Sequence, residues 1–180
     1  TVALTNAGNS YAGGTTVTGQ TIDFNASFTN GTNVFVSGTL VARGGGVLGT
    51  GGVAVNAGAL LVLDNSTTIA NRIGNAAALT ISGGTLTLIG NAGGAVTEQV
   101  GALTINAGTN AGIDTTIRID DNGQVTELLA ASLARGAGAL VHFVGVDSDL
   151  QDNSNARVQI TALPANTVFD ATTATNGILP

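Results

Sequence analysis

Between Ala78 and Gly112 the chain carries nearly the same phrase twice, ALTISGGT and ALTINAGT. Each copy sets two apolar residues with one residue between them, Leu79 and Ile81 or Leu103 and Ile105, and then enters a corner of small residues, Ser82-Gly83-Gly84 or Asn106-Ala107-Gly108. Side chains alternate faces along a strand, so each copy predicts a strand with one apolar edge turned inward, a turn, and a second strand. A unit that recurs about every two dozen residues and carries only a thin apolar stripe cannot bury it alone; it stacks the stripe on neighbouring copies. The fold class that follows is all-β: a β-solenoid with coils of about 19–30 residues.

Other copies lie upstream. Val17–Ile22 superimposes on Ile81–Leu86 with Gln20 in place of a glycine, Val34–Leu40 is one residue shorter at the corner, and Val53–Leu60 repeats the pattern again. Val17, Val36, Val55, Ile81 and Ile105 serve as equivalent anchors, separated by 19, 19, 26 and 24 residues. A single domain over residues 1–180 is expected, with regular coils over 9–112 and more irregular ones over 113–180. Leu79, Ile81, Leu86 and Leu88 are expected inside, and Thr80, Thr85 and Thr87 outside. The corner glycines supply a positive φ or room for a close backbone approach. Asn56, Ser82 and Asn106 are expected to stack at one corner, either as an inward ladder or as a solvated turn. Leu63–Ala76 and Gly90–Gly101 read as linking segments, with a short irregular turn around Ile69–Ile73. Glu127–Ala134 reads either as a helix or as a strand ending in Leu133.

Downstream the repeat loosens. Ile117-Arg118-Ile119 predicts a strand that ends in the turn signal Asp120-Asp121-Asn122-Gly123. Leu133–Leu140 aligns with Leu79–Leu86 but places Arg135 at the position of Ile81 and His142 at that of Leu88. A buried, unpaired arginine is too costly, so a register slip of one residue is expected, turning Val141 and Phe143 inward and leaving Arg135 and His142 exposed. Arg157–Ile160 is the last clear strand, ended by Pro164. The tail from Ala171 to Pro180 reads as a final edge or a join to a following module.

Composition supports stacking and narrows function. Glycine is 27 of 180 residues without a Gly-X-Y period and with two prolines, which excludes collagen. A hydrophobic fraction of 43% is enough to offset the ordering entropy of folding, and with 3% aromatics the interior must be filled by Val, Ile, Leu and Ala. Only 9% of residues are charged; all five cations are arginine, and the net charge is −6. That balance argues against nucleic acid and anionic membrane as partners, since both need clustered cations. No cysteine means no disulfide framework and no thiolate site, which fits an oxidising exterior. No apolar run reaches the roughly 18–20 residues of a membrane-spanning helix, so no membrane insertion is expected. With Thr1 first and no methionine, the sequence reads as a processed chain or a segment of a longer one.

The segment Asn9-Ser10-Tyr11-Ala12-Gly13-Gly14-Thr15-Thr16-Val17-Thr18-Gly19 resembles the autotransporter-associated β-strand repeat, with the form N-x-Y-x-G-G-T-T-x-x-x-G-T-L; Gln20-Thr21-Ile22 departs conservatively from its end. Asn71-Arg72-Ile73-Gly74-Asn75 through Gly108, and Leu133 to the closing Asn176-Gly177-Ile178-Leu179-Pro180, also resemble modules of very large surface proteins that carry this repeat in tandem. The resemblance implies a right-handed parallel β-helix, export, and an extracellular or cell-surface location. It brings no catalytic residues.

Candidate sites are few. Seven acids fall between Asp114 and Asp152, and Asp147, Asp149 and Asp152 offer closely spaced oxygen ligands for calcium, without an EF-hand arrangement. No other cofactor is expected. Solenoid lyases and glycosidases need carboxylates with basic or aromatic residues to seat sugars, but this chain has no Lys, no Trp, one Tyr and one His, and His142 lacks a partner nucleophile motif. The chain is therefore expected not to be an enzyme. Outward Thr80, Thr85, Thr87 and Thr104 offer a threonine face of the kind that binds ice or crystalline polysaccharide, although threonine is also an ordinary solvent-facing strand residue. The expected role is a structural module of a surface fibre, stalk or filament, stacked end to end on identical subunits or neighbouring modules. The alternative is an adhesin whose loops or side face bind a glycan or another cell.

Overall fold

The computed structural model describes residues 2–4, 10–11, 15–24, 29–30, 33–108, 114–150 and 154–162. These form strands β1 (Val2–Leu4), β2 (Ser10–Tyr11), β3 (Thr15–Phe24), β4 (Thr29–Asn30), β5 (Val34–Ala42), β6 (Val53–Val55) and β7 (Leu60–Asp64). They continue as β8 (Leu79–Ser82), β9 (Thr85–Ile89), β10 (Val96–Asn106), β11 (Thr115–Asp120), β12 (Thr126–Arg135), β13 (Val141–Val146) and β14 (Ala156–Ala162). No helix occurs among the described residues, and the stretch that read as helix or strand lies in β12.

Twelve strands make one sheet, and β2 and β4 make a small second one; the strand pairings are parallel. The order β13-β11-β9-β7-β5-β6-β8-β10-β12-β14 places successive strands on alternate arms, because β5 pairs with β6 through Val34–Val36 and with β7 through Thr39–Ala42. The arms curl until β13 meets β14, and the sheet nearly closes on itself like a barrel.

The register follows the anchors read from the sequence. Val17 lies beside Val36, Val36 beside Val55, Val55 beside Ile81, and Ile81 beside Ile105. All five are buried, as are Leu40, Leu61, Leu86 and Ile117 in the neighbouring row. Like side chains thus form continuous columns of thin aliphatic residues, which explains why so few aromatics suffice. The corner after β8 uses glycine in both ways. Gly83 has φ +72°, and a Cβ on Gly84 would sit 2.6 Å from the carbonyl oxygen of Asn56.

Two expectations are corrected. Gly90–Gly101 is not wholly a linker, for β10 begins at Val96 and runs for 11 residues, adding a third strand position that β12 and β14 continue. There is also no slip in the strand ending at Arg135, which pairs in register with Ile105. The feared penalty does not arise, because no described strand lies beyond Leu133–Arg135; Arg135 is exposed and donates to the Ala139 carbonyl at 3.3 Å. Val141 and Phe143 do pack inward and His142 is exposed. The cause is a longer corner: eight residues separate Arg135 from Phe143, against five between the equivalent Ile81 and Leu86.

Candidate functional site

The most unusual chemistry lies in the segment between β7 and β8, where no third strand has yet formed. Arg72 is 0% exposed, and its guanidinium donates to four backbone carbonyls: Gly44 (2.9 Å), Gly46 (2.7 Å), Asp64 (2.7 Å) and Thr68 (2.9 Å). The planar fork of arginine suits this task, because its donors diverge in fixed directions towards separate acceptors. One side chain thereby ties the turn after β5 to the turn after β7. Among the described residues its Nε has no hydrogen-bond partner, nor has Nδ2 of buried Asn65 nearby in the chain.

Glu98 supplies the counter-charge from β10. In β10 the inward positions are Val96, Glu98 and Val100, so alternation alone aims the carboxylate into the core, where it is 0% exposed. Its two oxygens accept the backbone N–H groups of Arg72 (2.8 Å) and Ile73 (2.7 Å). It therefore meets Arg72 through the main chain. Around it, residues 48–49 and 72–74 form a short parallel pairing, with Leu48 N–H donating to Arg72 C=O and Gly74 N–H to Gly49 C=O. The carboxylate extends that pairing to β10 where a carbonyl would otherwise be required. Outside it, the Gln99 N–H donates to Asn71 Oδ1 and Asn75 Nδ2 donates to Gln99 Oε1.

Burial pushes the Glu98 carboxyl up to about 7, against the pull of the two N–H donors and the Arg72 charge. The Arg72 guanidinium is shifted down by burial, partly countered by Glu98 and Asp64. A shifted carboxyl is often a mark of catalysis, but a general acid must reach its substrate, and this one is sealed from solvent. Glu98 and Arg72 act on the chain itself. Neither was identified from the sequence.

The acidic residues are dispersed. Asp121 is buried: Oδ1 accepts the Gly123 N–H at 2.7 Å, Oδ2 accepts the Ser148 hydroxyl, and Ser148 Oγ accepts the Ala156 N–H at 3.0 Å. Asp147 and Asp149 are exposed, and Asp152 lies outside the described residues. Among the described residues no three acidic, histidine or cysteine side chains are grouped to hold a metal. His142 Nε2 lies 3.0 Å from Asp114 Oδ2 on the surface. The small-residue corner does stack: Asn56 Nδ2 donates to Ser37 Oγ at 2.7 Å and Asn106 Nδ2 to Ser82 Oγ at 3.5 Å. Asn56 is exposed and Ser82 and Asn106 half-buried, so this corner is a solvated ladder. Thr80 pairs with Thr104, but their row ends in Ala54 and Ala134, and Thr87 faces Val62 and Arg118; the threonines form no continuous face.

Of the motif Asn9–Gly19, Asn9 and Ala12–Gly14 lie outside the described residues, as do Pro164 and the tail from Ala171 to Pro180. No helix among the described residues is long and apolar enough to cross a membrane. No protein-family model, curated protein or solved structure matches the chain.

Proposed function

We propose that the chain is a right-handed parallel β-helix serving as a non-enzymatic structural module of an extracellular or cell-surface fibre, related to the autotransporter-associated repeat proteins. What carries this reading is the condition of the last level. Among the described residues β13 pairs only with β11 and β14 only with β12, while Leu133, Phe143, Val158 and Ile160 are only partly buried. A strand edge beside half-covered apolar residues is a template for another copy of the same unit, and a head-to-tail contact that does not close gives a filament. Sedimentation over a range of concentrations, with electron microscopy of the same samples, tests it. End-to-end oligomers that disappear in Phe143→Lys are expected. A monodisperse monomer at the highest concentration overturns the stacking, and oligomers joined side to side favour the adhesin reading.

A further inference from the structure

We propose that Asn122 is a site of spontaneous covalent modification, converting to aspartate and isoaspartate through a cyclic imide formed with Gly123. The chain holds two turns built alike, Asp64-Asn65-Ser66 and Asp121-Asn122-Gly123. In each, the carboxylate before the asparagine accepts the N–H of the residue after it: Ser66 N to Asp64 Oδ1 at 2.9 Å, and Gly123 N to Asp121 Oδ1 at 2.7 Å. That N–H nitrogen is the atom that would attack the asparagine side chain, so sequence alone makes both turns candidates.

The structure separates them. Asn65 is 0% exposed, its Oδ1 accepts the Ala70 N–H at 2.9 Å, and Asn91 Nδ2 clamps its main-chain carbonyl at 2.7 Å. Its side-chain carbon cannot swing towards Ser66 without breaking these contacts. Asn122 is exposed, has φ +50°, and among the described residues has no side-chain hydrogen bond. Gly123, at φ +81°, has open space where a Cβ would project. Glycine brings no side chain of its own to crowd the attack of its nitrogen on Asn122 Cγ.

The step balances without any oxidant or reductant. The Gly123 nitrogen bonds to Asn122 Cγ, its proton passes to Asp121 Oδ1, and the Cγ–Nδ2 bond breaks as ammonia leaves with that proton. Water then opens the five-membered imide at either carbonyl, giving aspartate or isoaspartate. Isoaspartate adds a carbon to the main chain within the turn that presents Asp121 to Ser148, so the modification bears on the corner shared by β11, β13 and β14.

Trypsin reports the site directly, since cleavage after Arg118 and Arg135 releases Ile119–Arg135, in which Asn122 is the single asparagine. The folded protein is held in mildly alkaline buffer at physiological temperature for weeks, digested, and examined by mass spectrometry with chromatographic separation of isoaspartyl peptides. Asn122 is expected to gain about one dalton at least ~10-fold faster than Asn65, with the difference shrinking in denaturant, where local protection is lost. In Asn122→Ser the gain on this peptide should vanish, which separates Asn122 from Gln124. An unmodified Asn122 in the folded protein, or an Asn65 that converts as fast, overturns the proposal.

Discussion

Burial raises the Glu98 carboxyl from its usual 4.5 to about 7, so between these values the folded chain binds more protons than the unfolded one. The stability tied to this group is therefore fully present below pH 4.5 and is lost as pH rises through about 7. Glutamine has the same shape without the titration. Its carbonyl can accept one of the two N–H groups, but its NH2 opposes the other. Glu98→Gln should therefore be less stable than the parent at acidic pH, by an amount that shrinks by roughly 3 kcal/mol across that window. Chemical denaturation of both proteins from acidic to neutral pH measures the difference and cancels the other carboxylates. A difference that stays constant would show that Glu98 titrates alike in the folded and unfolded chains, with no shift from burial.

Columns of like residues make some element-scale effects readable from neighbours. Leu103 lies between Leu79 and Leu133 and is fully buried, whereas Leu133 has a described neighbour on one side only and is partly buried. Leu103→Ala should cost about 2–5 kcal/mol and Leu133→Ala clearly less, because a partly buried site can relax around the gap. Denaturant midpoints at equal slope check this, and equal costs would mean that Leu133 is covered on both sides. The same columns explain what was legible in the sequence. Val17, Val36, Val55, Ile81 and Ile105 announced their register because each strand copies the last. The first half of β10 did not, since Glu98 stands at an inward position and breaks the apolar alternation that would have marked Val96–Val100 as a strand. Arg72 was hidden for a related reason. Its four partners are backbone carbonyls spread from Gly44 to Thr68, and no residue type records where a carbonyl will point. The Arg135 register is illegible for a third reason: burial penalises an arginine only where a further strand covers it, and no described strand pairs beyond Leu133–Arg135.

At the scale of the whole molecule, stability should be graded along the order of strands. A strand paired on one edge has fewer contacts to lose than one paired on both, so local opening is easiest where one neighbour is missing. β8 and β9 are paired on both edges, while β13 and β14 are each paired on one among the described residues. Amide hydrogen exchange on dilute protein should be slower in β8 and β9 than in β13 and β14. Raising the concentration gives a second axis. If copies stack head to tail through this end, protection should rise in β13 and β14 and in the edge that receives them, while the central strands change little, because only terminal edges gain a partner. A uniform rise across all strands would instead indicate binding through the side of the sheet, and no dependence on concentration would leave the last level as a frayed end that no second copy occupies.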